Sequence, residues 1–314
     1  MHKILVSDKL GQAGLDLLAA TENVSYEMKT GLSKDELIAI IPEYDGLIIR
    51  SDTRPDADVI AAGTKLKAIG RAGIGVDNID LAAAKAAGIK VVNTPRANSI
   101  ATAEQTLTLM LTINRFTAHS HASVGAGNWN RADYVGTEIH GKTLGVIGFG
   151  YIGRLVTARA QAFGMNVVAA DPYVSAEAAS ELGVELLPLD ELLGRADIIT
   201  LHAIVTDETK EMINADAISK MKDGVMLVNV ARGKLIDEGA LADALKSGKV
   251  AAAGLDVFYS EPPQDCPLIG LPNVTHTPHL GASSKEAQAA VGIQIVEQVL
   301  KVLDGETPDY WVNK

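Results

Sequence analysis

The apolar residues of this chain fall in short, nearly unbroken runs separated by segments of helical period. Runs at 3–7, 46–50, 66–70 and 90–93 read as strands buried on both faces. Helix-period stretches at 10–20, 35–41, 56–62 and 81–87 lie between them, and Ser33-x-x-Glu36 has capping-box spacing before one of these. Such alternation is the βαβ rhythm of parallel sheets. A long helix pattern runs from about Ser99 to Ala118 and gives way to a polar stretch around 125–133. A second, more regular βαβ series begins at Lys142 and ends near Leu280. Ser283-x-x-Glu286, again with capping-box spacing, opens a last helix to about Leu303, which Asp304-Gly305 stops. The expected fold class is α/β, with two doubly wound parallel-sheet units in series and the terminal helix returning to the first.

The strand-like runs of the second series end in residues that can do chemistry. The run at 225–230 leads into Ala231-Arg232-Gly233, that at 253–258 into Ser260-Glu261-Pro262-Pro263, and that at 274–278 into His279-Leu280-Gly281. Ligands of open α/β sheets bind outside the carboxyl ends of the strands. A guanidinium that can grip a carboxylate bidentately, a carboxylate and a proton donor at that edge suit a small acid as substrate. Each has a bland reading when taken alone: a surface ion pair, a solvated loop acid, a structural histidine. Their arrival at three strand ends favours a site, and Glu261 beside His279 would keep the imidazole a proton donor near neutral pH.

Gly148-Phe149-Gly150-Tyr151-Ile152-Gly153 lies between a strand pattern at 143–147 and a helix pattern at 152–162. In that context it is a dinucleotide fingerprint rather than a plain glycine turn. Asp171 ends the next strand pattern, where it would accept from ribose hydroxyls and repel a 2′-phosphate, so NAD is expected over NADP. The first series has strand-end residues too: Arg50-Ser51, Arg71-Ala72-Gly73 and Asn93-Thr94-Pro95. If the two units face each other across a cleft, Arg50 and Arg71 would serve a substrate carrying a second anionic group; otherwise they are solvated strand-end charges. Gly73 and Gly75 would let the backbone approach a carboxylate.

Composition narrows the classes. A formal net charge of -11 argues against nucleic acid as partner. The hydrophobic fraction of 47% with only 4% aromatics fits an aliphatic-rich α/β protein. The single cysteine, Cys266, leaves no internal disulfide and suits a reducing compartment. Acid appears too early at the N-terminus for a signal peptide, and no apolar run approaches the roughly 18 residues of a membrane span. A cytoplasmic protein is expected, acting on a small molecule, without membrane or nucleic-acid contacts. No metal site is expected, since His119 and His121 are two residues apart on a helix pattern and would not share a face.

Over nearly its whole length the chain resembles the D-isomer-specific 2-hydroxyacid dehydrogenase family. The resemblance is carried by Gly148–Gly153, Asp171, Val230-Ala231-Arg232-Gly233, Leu255-Asp256-Val257-Phe258, Glu261-Pro262 and His279. Segments Ile49-Arg50-Ser51, Gly70 through Asn78, Asn93-Thr94-Pro95 with Asn98-Ser99, and His279 through Ser283 are more specific still. The resemblance implies a flavodoxin-like substrate domain at 1–98 plus 284–314 and a Rossmann NAD domain at 99–283, around a cleft. It implies Arg232, Glu261 and His279 as the catalytic trio. Gly148, Gly150, Tyr151, Ile152, Gly153, Asp171, Ala203, Val230, Ala231, Asp256 and Gly281 would contact NAD. Arg50, Ser51, Arg71, Gly73, Ile74, Asn98 and Arg131 would serve a 2-hydroxy acid.

The resemblance also implies a homodimer, with the helix from Ser99 and the Trp129 segment as its interface. Other 2-hydroxy acids within the family, or a NAD-sensing binding protein on the same fold, are the rival expectations. Three departures stand out. Larger members append a regulatory domain absent from this sequence, so feedback through such a domain is not expected. Ile204 stands where the family usually has a proline. Tyr151 stands where many members have an arginine, which leaves more of the pyrophosphate binding to the helix N-terminus.

Overall fold

The computed structural model describes all of residues 1–314 and divides into two compact units, Met1–Ser99 with Ala282–Lys314, and Ile100–Gly281. The boundaries expected at 98/99 and 283/284 thus fall at 99/100 and 281/282. No helix is long and apolar enough to cross a membrane.

The first unit holds β1 (His2–Val6), β2 (Val24–Met28), β3 (Gly46–Ile49), β4 (Ala68–Arg71) and β5 (Lys90–Val92) in the order β2-β1-β3-β4-β5, all parallel. Side chains alternate across a strand, so each strand feeds two cores. Leu5, Leu47, Ile49, Ile69 and Val91 face one side with Leu37, Val59, Ile60 and Ala84. Ile4, Val6, Ile48, Ala68 and Val92 face the other, against Leu18 and the apolar stripe Val291, Ile295, Val296, Val299, Val302 of the helix Lys285–Leu303. Burying each large aliphatic there contributes on the order of 2 kcal/mol. The terminal helix therefore belongs to this unit because the sheet would otherwise leave one apolar face in water. It lies close: a Cβ on Gly14 would sit 2.8 Å from Gly292 backbone, and one on Gly70 2.5 Å from Val299.

The second unit holds β6 (Thr143–Ile147), β7 (Asn166–Ala170), β8 (Glu185–Leu186), β9 (Ile198–Leu201), β10 (Val225–Asn229), β11 (Val250–Leu255) and β12 (Val274–His276). They form one parallel sheet in the order β12-β11-β10-β9-β6-β7-β8. Helices cover both faces. Ser99–Arg115 and Tyr151–Ala162 pack over Leu144, Val146, Val167, Ala169 and Val228, while Leu189–Arg195, Ala215–Lys220 and Glu238–Ser247 pack over Ile147, Ile199, Leu201, Leu227 and Ala253.

Three expectations are corrected. Strand β2 was not foreseen. The long helix stops at Arg115, because Phe116 adopts a left-handed conformation at φ 52°, and a separate helix Thr117–Gly125 follows. Ser284, not Ser283, caps the last helix, its hydroxyl accepting from the Ala287 N–H. The Ser33/Glu36 capping box forms as expected, and Gly305 takes the left-handed position just past the last helix.

Candidate active site

The fingerprint glycines occupy three different environments. Gly148 has φ 90°, and a Cβ there would lie 2.6 Å from the His202 carbonyl carbon. A Cβ on Gly153 would lie 2.3 Å from the Gly148 carbonyl oxygen, so this glycine brings the helix against the strand. A Cβ on Gly150 would meet nothing within 4 Å. Gly150 is the N-cap of Tyr151–Ala162 and supplies no side-chain acceptor, which leaves the first-turn N–H groups and the positive end of the helix dipole to an anion. Asp171, after β7, accepts the Phe149 N–H at 2.7 Å and the Tyr173 N–H at 2.9 Å. A carboxylate has lone pairs to spare beyond those two bonds, so it can also take ribose hydroxyls. These residues fit a dinucleotide. Ala203 and Ile152 are half-buried beside this edge, Tyr151 and Ile204 are exposed, and Val230 is buried in the core. His202 bonds Thr200 through Nε2, and burial lowers its pKa to about 3, so it is neutral under physiological conditions.

Further along the same sheet edge the expected trio converges. His279 Nδ1 is 2.7 Å from a Glu261 carboxylate oxygen, and the two side chains are 40% and 36% exposed. The other Glu261 oxygen accepts the Phe258 N–H at 3.1 Å. Burial pushes the Glu261 pKa up, but the His279 hydrogen bond and charge, the Phe258 N–H and the Arg232 charge together hold it below its ordinary value. An ionised Glu261 is acceptor only, so Nδ1 carries the proton of this bond and Nε2 is left for a ligand. The turn bearing Arg232 is fixed by Asn229, which is fully buried: its amide donates to the Arg232 carbonyl at 2.9 Å and its oxygen accepts the Ala231 N–H at 3.0 Å. At Gly233 a Cβ would lie 1.9 Å from the Phe258 carbonyl carbon. Only glycine allows the arginine turn to press against the strand end that leads to Glu261.

His279 itself sits at φ 52°, an uncommon backbone for a residue with a side chain. Asp256, after β11 and fully buried, holds it there. Its carboxylate accepts the Leu280 and Gly281 N–H groups at 2.7 Å each and the Thr277 hydroxyl, and its carbonyl accepts the His279 N–H at 2.8 Å. The sequence places Asp256 among cofactor contacts; the structure gives both its oxygens to the histidine loop. Thr102 and Gln105, on the helix Ser99–Arg115, brace that loop through the Gly281 carbonyl and the Thr277 hydroxyl. Their part was not legible in the sequence.

At the carboxyl edge of the first sheet, Arg50 follows β3 and Arg71 ends β4. Gly73 has φ 147°, and a Cβ there would sit 1.6 Å from Arg71 Nη1, so the guanidinium lies across the Gly73 backbone. The Gly73 carbonyl accepts the Thr94 N–H at 3.0 Å, and the Ile74 carbonyl accepts the Asn93 amide at 2.6 Å. Ser51 is exposed and Asn98 is buried. Arg131 belongs to the second unit: it lies on the short turn Arg131–Tyr134 with its guanidinium 5.9 Å from the Trp129 ring centroid.

Residues 107–281 match the family model described as D-isomer specific 2-hydroxyacid dehydrogenase, NAD binding domain. The chain is 50% identical, over all of its length, to D-3-phosphoglycerate dehydrogenase of Methanocaldococcus jannaschii, of which it covers 60%. It spans about three fifths of the length of the curated relatives it matches. A crystal structure of a protein from Thermus thermophilus superimposes with a TM-score of 0.91 at 37% identity, covering 99% of both chains. A glyoxylate reductase from Paecilomyes thermophila gives 0.89 at 32% identity, covering 99% of this chain and 98% of that one. The glycine turn, the histidine–glutamate pair and the arginine beside them all lie within the matched residues: the chain belongs to the D-isomer specific 2-hydroxyacid dehydrogenase family.

Proposed function

We propose that this protein catalyses the NAD-dependent oxidation of D-3-phosphoglycerate to 3-phosphohydroxypyruvate and its reverse, in the cytoplasm. The observation that carries the reaction is the 2.7 Å bond between His279 Nδ1 and Glu261, beside Arg232. With Nδ1 occupied, Nε2 takes the proton of the substrate hydroxyl as the C2–O bond becomes a carbonyl. Bound NAD supplies the hydride acceptor. Glu261 stabilises the imidazolium that forms, and in reduction the same Nε2 returns its proton to the C2 oxygen. Arg232 grips the substrate carboxylate and polarises the C2 oxygen. Asp171 favours NAD over NADP, since a 2′-phosphate would meet its negative charge.

The choice of acid is supported by the 50% identity to a named phosphoglycerate dehydrogenase and by Arg50 and Arg71 on the first unit, a cationic pair suited to a phosphate. We also read the protein as a homodimer. The helix Thr117–Gly125 has no buried residue within the chain, and Val124 on it and Trp129 and Val135 after it are 52%, 71% and 78% exposed, apolar surface that a second copy would cover. Arg131 lies in this segment, so any part it has in binding substrate goes with that face.

Steady-state NADH oxidation with 3-phosphohydroxypyruvate, hydroxypyruvate and sulfopyruvate, repeated with NADPH, tests the reading. A kcat/KM advantage of about a hundredfold for the phosphorylated acid, roughly 2.7 kcal/mol of transition-state binding, is expected, with NADH preferred. A preference for either other acid overturns the substrate, and no turnover on any overturns the enzyme.

A further inference from the structure

The strand order β2-β1-β3-β4-β5 puts the topological switch point of the first sheet between β1 and β3, where open sheets bind ligands. The residues leaving those strands there are Asp8 and Arg50. Asp8 is only 4% exposed, yet its carboxylate makes no ion pair with the arginine beside it. One Asp8 oxygen accepts the backbone N–H of Arg50 at 2.6 Å and of Thr53 at 3.1 Å, and the other accepts the Thr53 hydroxyl at 2.6 Å. Asn78 completes the arrangement from β4's side. Its amide nitrogen donates to the carbonyl of Arg50 at 2.8 Å and to that of Thr53 at 2.7 Å. All four backbone polar groups of residues 50 and 53 are therefore held by two side chains, and the exposed pair Ser51-Asp52 is pinched into a tight loop. The Arg50 guanidinium, half-buried, donates to no group of this chain.

This is an unusual way to treat a buried acid next to an arginine, and its chemical consequence is specific. Had Asp8 paired with the guanidinium, the positive charge would have been neutralised within the protein. Bonding to backbone N–H groups and to the Thr53 hydroxyl spends the carboxylate's acceptors on the loop instead. The loop is fixed and the cation stays available to an outside anion. We infer that Asp8, acting with Asn78, is the positioning residue of the Arg50 loop and sets the preference for a substrate carrying a second anionic group, an inference that rests on the phosphorylated-acid reading above. Neither residue touches the substrate in this role. Each fixes where Arg50 starts.

The test uses the full chain with Asp8→Asn and Thr53→Val. The first keeps the size of the side chain but turns one acceptor into an amide donor facing the loop N–H groups. The second removes only the hydroxyl bond, so it keeps the question answerable if Asp8→Asn fails to fold. For Asp8→Asn the ratio of kcat/KM between 3-phosphohydroxypyruvate and hydroxypyruvate should fall about tenfold, carried by KM for the phosphorylated acid rather than by kcat. For Thr53→Val it should fall two- to threefold in the same sense. A merely structural role would lower both substrates alike, and an unchanged ratio in both variants overturns the inference. Amide exchange separates the two readings. If the wild-type protein itself shows no preference for the phosphorylated acid, the substrate reading fails. The loop clamp is then judged by whether the Arg50 and Thr53 amides exchange at least tenfold faster in Thr53→Val; protection equal to wild type overturns the clamp as well.

Discussion

Replacing Asp256 with asparagine isolates what holds the histidine in place. The carboxylate is fully buried and accepts three hydrogen bonds, from Leu280 N, Gly281 N and the Thr277 hydroxyl. An asparagine keeps one oxygen, which can stay on Leu280 and Thr277, and turns an NH2 toward the Gly281 N–H. That leaves a buried donor facing a donor, a loss of about 1–3 kcal/mol. The two surviving bonds change from charged to neutral acceptors, weaker by roughly 0.5–1 kcal/mol each. The sum is about 3 kcal/mol, comparable to the roughly 1–3 kcal/mol that a left-handed backbone such as that of His279 stores. The loop should therefore leave its conformation for part of the time. For a unit of this size the melting temperature should fall by roughly 6–12 °C if the loop unfolds with its unit. Turnover should fall at least tenfold, while the affinity for NADH, read by fluorescence, changes less than threefold. A variant that melts within 2 °C of wild type and turns over within twofold refutes the tether. A tenfold loss of NADH affinity in a variant of unchanged stability would instead make the carboxylate a cofactor contact first.

The same geometry yields two more perturbations. Gly150→Ala adds a methyl group to open space and should leave thermal stability within about 1 kcal/mol while weakening NADH binding at least tenfold, whereas Gly148→Ala, with φ 90° and a Cβ 2.6 Å from the His202 carbonyl carbon, should destabilise the unit itself; the reverse ranking by differential scanning calorimetry and fluorescence titration would reject the fingerprint assignment. Glu261 is held below its ordinary pKa in the folded protein, so its pairing adds stability that is complete above the unfolded carboxyl value near 4.3 and disappears as pH falls through the lower folded value. The stability difference between wild type and Glu261→Gln should shrink as pH falls below about 4, and a difference that instead grows with acid would show the sign to be wrong.

The buried runs, and the residues that end them, were legible in the sequence. Strands β3, β9 and β10 are buried along almost their whole length, so they appear as apolar runs, and the polar residue ending each run is conspicuous. Strand β2 gave no such signal because it lies at the sheet edge with none of its five residues buried. Its Ser25 and Glu27 break the run. The break at Phe116 has no glycine or proline to mark it. The last helix starts one residue late because two serines are adjacent and only the hydroxyl of the second reaches the Ala287 N–H. Within the site, the trio was legible because arginine, glutamate and histidine are chemically distinctive at strand ends. Asp8, Asn78 and Thr102 were not, because a residue that acts on backbone groups far away in the chain leaves no local pattern.

The carboxylates that matter most here share one arrangement. Asp8 follows β1, Asp171 follows β7 and Asp256 follows β11, and each directs an oxygen at backbone N–H of a neighbouring strand-end loop: Asp8 at Arg50 and Thr53, Asp171 at Phe149 (its other oxygen holding Tyr173 of its own turn), Asp256 at Leu280 and Gly281. Those loops carry Arg50, the glycine turn and His279. In a chain with net charge -11, an anion drawn to these edges needs local positive potential. Carboxylates that paired with Arg50 or with the helix N-terminus after Gly150 would cancel the positive potential an anion needs. Carboxylates that bond to amides spend their acceptors on the backbone rather than on the cation, and they fix the loops so that little ordering entropy is left for the ligand to overcome. Glu261 is the exception, ionised and paired with a side chain, and it is the one acid whose partner must gain and lose a proton in the proposed reaction.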